Sequence, residues 1–353
     1  MRALRFILGC ACLIVLAGTA FGASITSPTL LVPNANRDGS NSILLYDVRT
    51  GAYEGVFAAA SDDFGDDNGK GVLQNPNDIA LGPDGKVYVT FCESWNSGGK
   101  GGVARFLQDG TYDGLIVDFD AANPGDEVLD TTAVTFGQDG MMYVGHVFGV
   151  KRYSVDGVFD ADIFSPQGGL VRDVHAAGAG VYFQTDYSGT AKEGSLGLYN
   201  TGTGTLLTNQ QTTSGHMHGI GSAPSGDPYV GWEIYIIGGP DDTDGDQDIA
   251  RWEMPISGTY TQDWASFPEQ TNGSALGVTY YEGNLYIHDG NNGDIRIHDA
   301  VTGAPVGDGF LVENDSRFVG AGWGMIVLVP EPATLVLLGL ASVSLTTRRR
   351  RHR

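Results

Sequence analysis

Apolar residues recur at alternate positions in short runs along this chain, and each run ends at a tight turn that carries glycine. In the stretch 77–89, Ile79 and Leu81 flank a small residue, Asp84-Gly85 makes the turn, and Val87-Tyr88-Val89 returns. That pattern predicts a β-hairpin, because Asp-Gly supplies the backbone angles of a two-residue turn. It recurs over 133–144 with Asp139-Gly140, and more loosely over 173–183, 219–230 and 276–287. A second hairpin follows most of these, over 102–106 with Asp109-Gly110, 150–153 with Asp156-Gly157, 197–199 with Thr201-Gly202, and 295–298 with Thr302-Gly303. Each unit then holds about four strands over roughly 40–58 residues, the size of a propeller blade.

The expected fold is therefore all-β, a six-bladed β-propeller, with seven blades as the alternative count and a two-sheet sandwich as the rival fold. Blades two to six start near Asp78, Ala133, Asp173, Gly219 and Gly277. Blade one is shared between the ends of the body. Leu30–Val32 and Ile43–Asp47 supply its outer strands and 322–328 its innermost one. Such closure removes free sheet edges.

The two termini break the period. Residues 1–23 read as a basic start (Arg2, Arg5), an apolar run and a small-residue site ending at Gly22-Ala23, the three parts of a signal peptide with its helix. The body spans 24–328. Residues 329–353 form a tail made of Pro330-Glu331-Pro332, an apolar helix over 333–347 and an arginine-rich end over 348–353. The prolines stop regular structure from running into the tail. The apolar stretch is short for a span of roughly 20 residues, and the distal arginines hold their end in the cytoplasm. These elements, in this order, resemble the PEP-CTERM sorting tail. The resemblance implies an exosortase-type processing enzyme as partner, transient membrane attachment through the tail, and delivery of a bacterial protein to the cell envelope, cell surface or extracellular matrix.

Composition narrows the partners. The 353 residues include 53 glycines and carry a formal charge of −22. Seven of the 20 basic residues lie in the two terminal segments, so the body is more acidic still. Nucleic acid is excluded as a partner, since phosphate binding needs clustered Lys and Arg; cations suit this surface. Two of the three cysteines, Cys10 and Cys12, lie in the leader, which leaves Cys92 with no disulfide partner in the body.

Candidate chemistry falls in two places. Asp242, Asp244, Asp246 and Asp248 alternate around Gly245, a spacing that can wrap oxygen ligands around calcium; the alternative is a solvated acidic loop. A weaker acidic stretch is Asp62, Asp63, Asp66 and Asp67. Asp78, Asp173, His175, His216 and His218 fall at or just before predicted innermost strands, near one mouth of a central channel, where a metal or substrate site can form. No Gly-x-Ser-x-Gly, His-Glu-x-x-His or phosphate-loop motif is present.

The repeat, most clearly Pro76–Leu81 with Val87–Val89, resembles NHL-type and streptogramin-lyase-like propellers. That resemblance implies the fold and leaves function open. Two readings follow. One is an exported propeller acting as a binding or structural module for polysaccharide or another matrix component, with calcium as its ion. The other is an enzyme of lyase or lactone-hydrolase type with its site in the channel.

Overall fold

The structure is a computed structural model. It describes residues 25, 27–35, 41–59, 73–92, 101–119, 130–164, 169–187, 194–211, 219–224, 232–237, 249–253, 261–264, 275–289, 293–318 and 324–330. The signal peptide, the tail beyond Pro330, both acidic loops, His216 and His218 lie outside the described residues.

The described residues form β1 (Thr29–Asn34), β2 (Ser42–Asp47), β3 (Tyr53–Ala59), β4 (Pro76–Leu81), β5 (Val87–Cys92), β6 (Gly101–Phe106) and β7 (Tyr112–Asp118). Next come β8 (Thr131–Phe136), β9 (Met142–His146), β10 (Gly149–Tyr153), β11 (Phe159–Phe164), β12 (Gly169–Ala177), β13 (Gly180–Tyr187), β14 (Gly194–Asn200) and β15 (Thr205–Gln211). The remainder are β16 (Gly219–Pro224), β17 (Trp232–Ile237), β18 (Ile249–Glu253), β19 (Thr261–Trp264), β20 (Ala275–Tyr281), β21 (Asn284–Asp289), β22 (Asp294–Asp299), β23 (Pro305–Val312) and β24 (Ile326–Leu328). They make six four-stranded antiparallel sheets, five of them from consecutive strands. The remaining sheet runs β24-β1-β2-β3, so the last described strand pairs with the first. Of the expected innermost strand over 322–328, the described residues form Ile326–Leu328, in register with Leu31, Leu30 and Thr29. Among the described residues, no helix is long and apolar enough to cross a membrane. The fold is a β-propeller.

The innermost strands β4, β8, β12, β16, β20 and β24 touch in that order, and β24 also touches β4. Apolar layers fill the spaces between sheets. Leu31 of β1 packs with Ile79, Val89 and Phe106 of the next sheet, while its neighbours Leu30 and Val32 pack with Tyr286, Ile295 and Val312 on the other side. Both faces of β1 and β2 are thus buried, which is why these two strands read as nearly continuous apolar runs rather than as alternation. Outer strands differ: the first halves of β3, β11 and β23 are largely open to solvent.

Register follows the same gradient. The two middle strands of each sheet pair without a shift. Every outermost pair carries a bulge or irregularity, which twists an open edge away from further pairing. Four innermost pairs also shift register at the start of the inner strand, at Pro76/Ile79, Thr131/Ala133, Val171/Asp173 and Ala275/Gly277.

The outer half of the blades carries local bonds that repeat from one sheet to the next, and its arginines also reach the following sheet, Arg105 to Asp156 and Arg152 to Tyr199. In the second sheet the Tyr88 hydroxyl donates to Asp84 at 3.0 Å, and Arg105 Nε donates to Asp113 at 2.5 Å. In the third, the Tyr143 hydroxyl donates to Asp139 at 2.8 Å, and Arg152 Nε donates to Asp160 at 2.6 Å. Two further turns share one design. Asp47 Oδ1 accepts from the amides of Arg49 and Thr50 and the Thr50 hydroxyl, and Asp299 Oδ1 accepts from Val301, Thr302 and the Thr302 hydroxyl. These bonds hold both carboxyls below their usual pKa.

Candidate functional site

The starts of the innermost strands surround a cavity of 190 Å³ at the centre of the ring. Asp78, Asp173 and His175 line it, together with Thr135, Thr279 and Gly324. Its size, well below the roughly 300–1,000 Å³ of drug-sized pockets, suits a small ligand.

The two aspartates face the cavity yet are already engaged. Asp78 Oδ1 accepts from the amide of Ile79 at 2.8 Å, and its Oδ2 accepts from Val134, on the innermost strand of the next sheet, at 2.7 Å. Asp173 repeats this with Val174 at 2.6 Å and Ile220 at 2.5 Å. Each carboxylate therefore clasps two neighbouring blades by the main chain. An innermost strand has no neighbour on its channel side, so its inward amides need an acceptor, and the aspartates supply one. Burial works against the charge. It raises the Asp173 carboxyl to about 7 and, together with the charge on Asp173, raises that of Asp78 well above the carboxylate range. The accepted amide bonds pull both the other way.

Other polar links cross the same seams. Asn77 Nδ2 donates to the Thr131 carbonyl at 2.7 Å, and Gln184 Nε2 donates to the Gly219 carbonyl at 3.2 Å. The Ala176 amide donates to Thr135 Oγ1 at 3.0 Å. His175 Nε2 lies 2.7 Å from Ser222 Oγ; burial lowers the His175 pKa to about 4, which keeps the ring neutral near pH 7. At the seam closed by β24, the Gly324 amide donates to the Asn77 carbonyl at 3.1 Å. A Cβ on Gly324 would overlap the Asp78 carboxylate, so glycine is required there.

Asn77, Gln184, Ser222, Thr135 and Gly324 were not singled out by sequence. Asn77 adjoins Asp78 at a blade start, and that adjacency was the available signal. Gln184 and Ser222 carry none, because their roles depend on partners in another blade. The calcium candidates Asp242, Asp244, Asp246 and Asp248 lie outside the described residues. Among the described residues, no three His, Cys, Asp or Glu side chains are placed to hold a metal. Cys92 is fully buried beside Asn77 Nδ2, 3.5 Å away, and burial pushes its thiol up to about 12, so it is inert.

The end of the body leads straight into the tail. Leu328 is buried in the layer that contains Leu31, Ile79 and Val89, whereas Val329, one residue on, is exposed. Residues 328–351 match the PEP-CTERM protein-sorting motif. The chain carries a PEP-CTERM sorting motif. Its first residue is therefore also the last residue of the closing strand. Among curated proteins, no sequence matches the chain. Solved structures resemble it in shape. The propeller in the nidogen/laminin complex aligns with a TM-score of 0.58 at 10% identity, over 87% of this chain and 100% of that one. A protein of unknown function from Bacteroides caccae gives 0.53 at 14% identity, over 87% and 100%. The periplasmic gluconolactonase of Pseudomonas aeruginosa gives 0.50 at 15%, over 86% and 99%. At these identities the likeness is one of fold.

Proposed function

We propose that this protein is an exported bacterial propeller, processed by an exosortase-type enzyme and displayed at the cell surface or in the extracellular matrix, where the propeller serves as a binding and structural module. The observation that carries this reading is the sorting motif joined to the closing strand with no linker between them. The leader-like residues 1–23 and the acidity of the body support it. The ring closes with six blades in this reading, supported by the six four-stranded sheets and the unbroken succession of innermost strands.

The test is a chain truncated after Val329, which keeps β24. The expected result is a folded propeller that crosses the inner membrane but no longer reaches the surface fraction. Surface display equal to that of the full chain would sink the reading.

Calcium is proposed for the loop containing Asp242, Asp244, Asp246 and Asp248, on the strength of its alternating carboxylates. Added calcium should raise the Tm, and an Asp244→Ala, Asp246→Ala double variant should lose that rise. A parent protein whose Tm ignores calcium would dispose of this part alone.

A further inference from the structure

The clasps around the channel follow an alternation that fails at one seam. Starting from the sheet closed by β24, the residue preceding the channel-lining Met325, Ile79, Val134, Val174, Ile220 or Val278 is in turn Gly324, Asp78, Ala133, Asp173, Gly219 and Gly277. Odd sheets carry a small residue there. The second and fourth carry an aspartate that reaches the small-residue strand of the next sheet. The sixth carries Gly277, which has no side chain to extend toward the first.

The rest of that seam is built like its two counterparts. β20 and β24 touch, as β4 touches β8 and β12 touches β16. Val278 and Met325 line the cavity at the positions whose amides are clasped elsewhere. The register shift before Gly277 matches the one before Asp173. One element differs. The register partner of Asp173 is Gln184, which donates across to the next sheet; the register partner of Gly277 is His288, fully buried. Directly paired residues of an antiparallel sheet present their side chains on one face, so His288 stands on the face that Gln184 uses.

We propose that this seam binds the carboxylate of a small external ligand, which accepts from the main-chain amides of Val278 and Met325 in the place that Asp78 and Asp173 fill at the other two seams. Two main-chain amides donating to one group favour an anionic oxygen, as the paired amides on Asp78 and Asp173 do at their seams. The net negative charge of the protein is screened beyond about 10 Å at 0.1 M salt, while Asp78 and Asp173, which line the same cavity, oppose an anion only when ionised, and burial raises both toward the neutral form. A cavity of 190 Å³ admits a ligand of sugar-acid size or less. The inference deepens the binding-module reading and is independent of the sorting tail, so its failure would leave the export test untouched.

The experiment titrates the full chain with sodium acetate, and separately with acetamide at the same ionic strength. Thermal stability and the amide resonances of Val278 and Met325 are followed. The expected result is a saturable rise in Tm with acetate, shifts concentrated at those two amides, and binding at least tenfold weaker for acetamide. Gly277→Asp supplies the clasp internally. It should raise the Tm without ligand and abolish the response to acetate; the backbone at Gly277 is not left-handed. Equal binding of acetate and acetamide, or an acetate response unchanged in Gly277→Asp, would overturn the proposal. Should that variant fail to fold, the parent decides: Val278 and Met325 amides that ignore acetate overturn it as well.

Discussion

The inner and outer strands of each sheet are held by different kinds of bond. Around the channel the bonds are buried and join residues far apart in sequence. Asp78 meets Val134 and Asp173 meets Ile220, 56 and 47 positions away. At the periphery the ion pairs within a blade are exposed and local, Arg105 with Asp113 and Arg152 with Asp160, each 8 apart, while the same arginines also reach the next sheet, Arg105 to Asp156 and Arg152 to the Tyr199 hydroxyl. A buried amide without an acceptor costs about 1–3 kcal/mol, whereas an exposed ion pair contributes roughly 0–1 kcal/mol. The buried inner links thus weigh more at each seam than the exposed outer ones, whether those lie within a blade or cross to the next.

The sharpest way to break this contrast is Gly324→Ala. Its new methyl would displace the Asp78 carboxylate from two amides at once. The expected loss is about 3 kcal/mol in a denaturant titration; a loss under about 0.5 kcal/mol would mean that the Asp78 clasp is not needed for closure. Asp173→Ala should come next, at about 2–3 kcal/mol, since it leaves the Val174 and Ile220 amides without their carboxylate. Hydrogen exchange at those two amides should quicken more than at the middle strands β13 and β14.

A pH series sharpens the point further. The Asp173 carboxyl sits at about 7 in the fold, against roughly 4 in an unfolded chain. Between those values the native state holds a proton that the unfolded state lacks. Its contribution is therefore complete at the acid end and is lost as pH rises toward 7. His175, lowered to about 4, opposes this. Its native ring stays neutral while the unfolded one gains a proton, so its contribution is lost as pH falls below roughly 6.5. Subtracting an Asp173→Asn variant isolates the carboxylate. The parent's advantage should shrink as pH climbs from 4 to 7, by up to about 1.4 kcal/mol per unit. A flat difference would show Asp173 ionised throughout. The smallest effect belongs to the periphery: Asp113→Ala should cost under about 1 kcal/mol and fade at high salt.

The same division explains what the sequence revealed. The Asp84-Gly85 and Asp139-Gly140 hairpins were legible because turn chemistry is local. Pairing of β24 with β1 was legible because both ends of the body showed apolar strands without partners nearby. Asp78, Asp173 and His175 line the cavity, but the sequence read them as open ligands. Their oxygens are committed to amides in other blades, and no local pattern announces such partners. Gln184 and Gly324 were missed for the same reason. The calcium loop and the histidines at 216 and 218 lie outside the described residues.

The most direct measurement of the central claim is the intact mass of the protein recovered from the cell surface. The expected species begins after residue 22 or 23, ends close to Glu331 and keeps the closing strand Ile326–Leu328, because that strand belongs to the core while the sorting motif begins at its last residue. A surface form that still carries residues 333–353 would contradict processing at the tail.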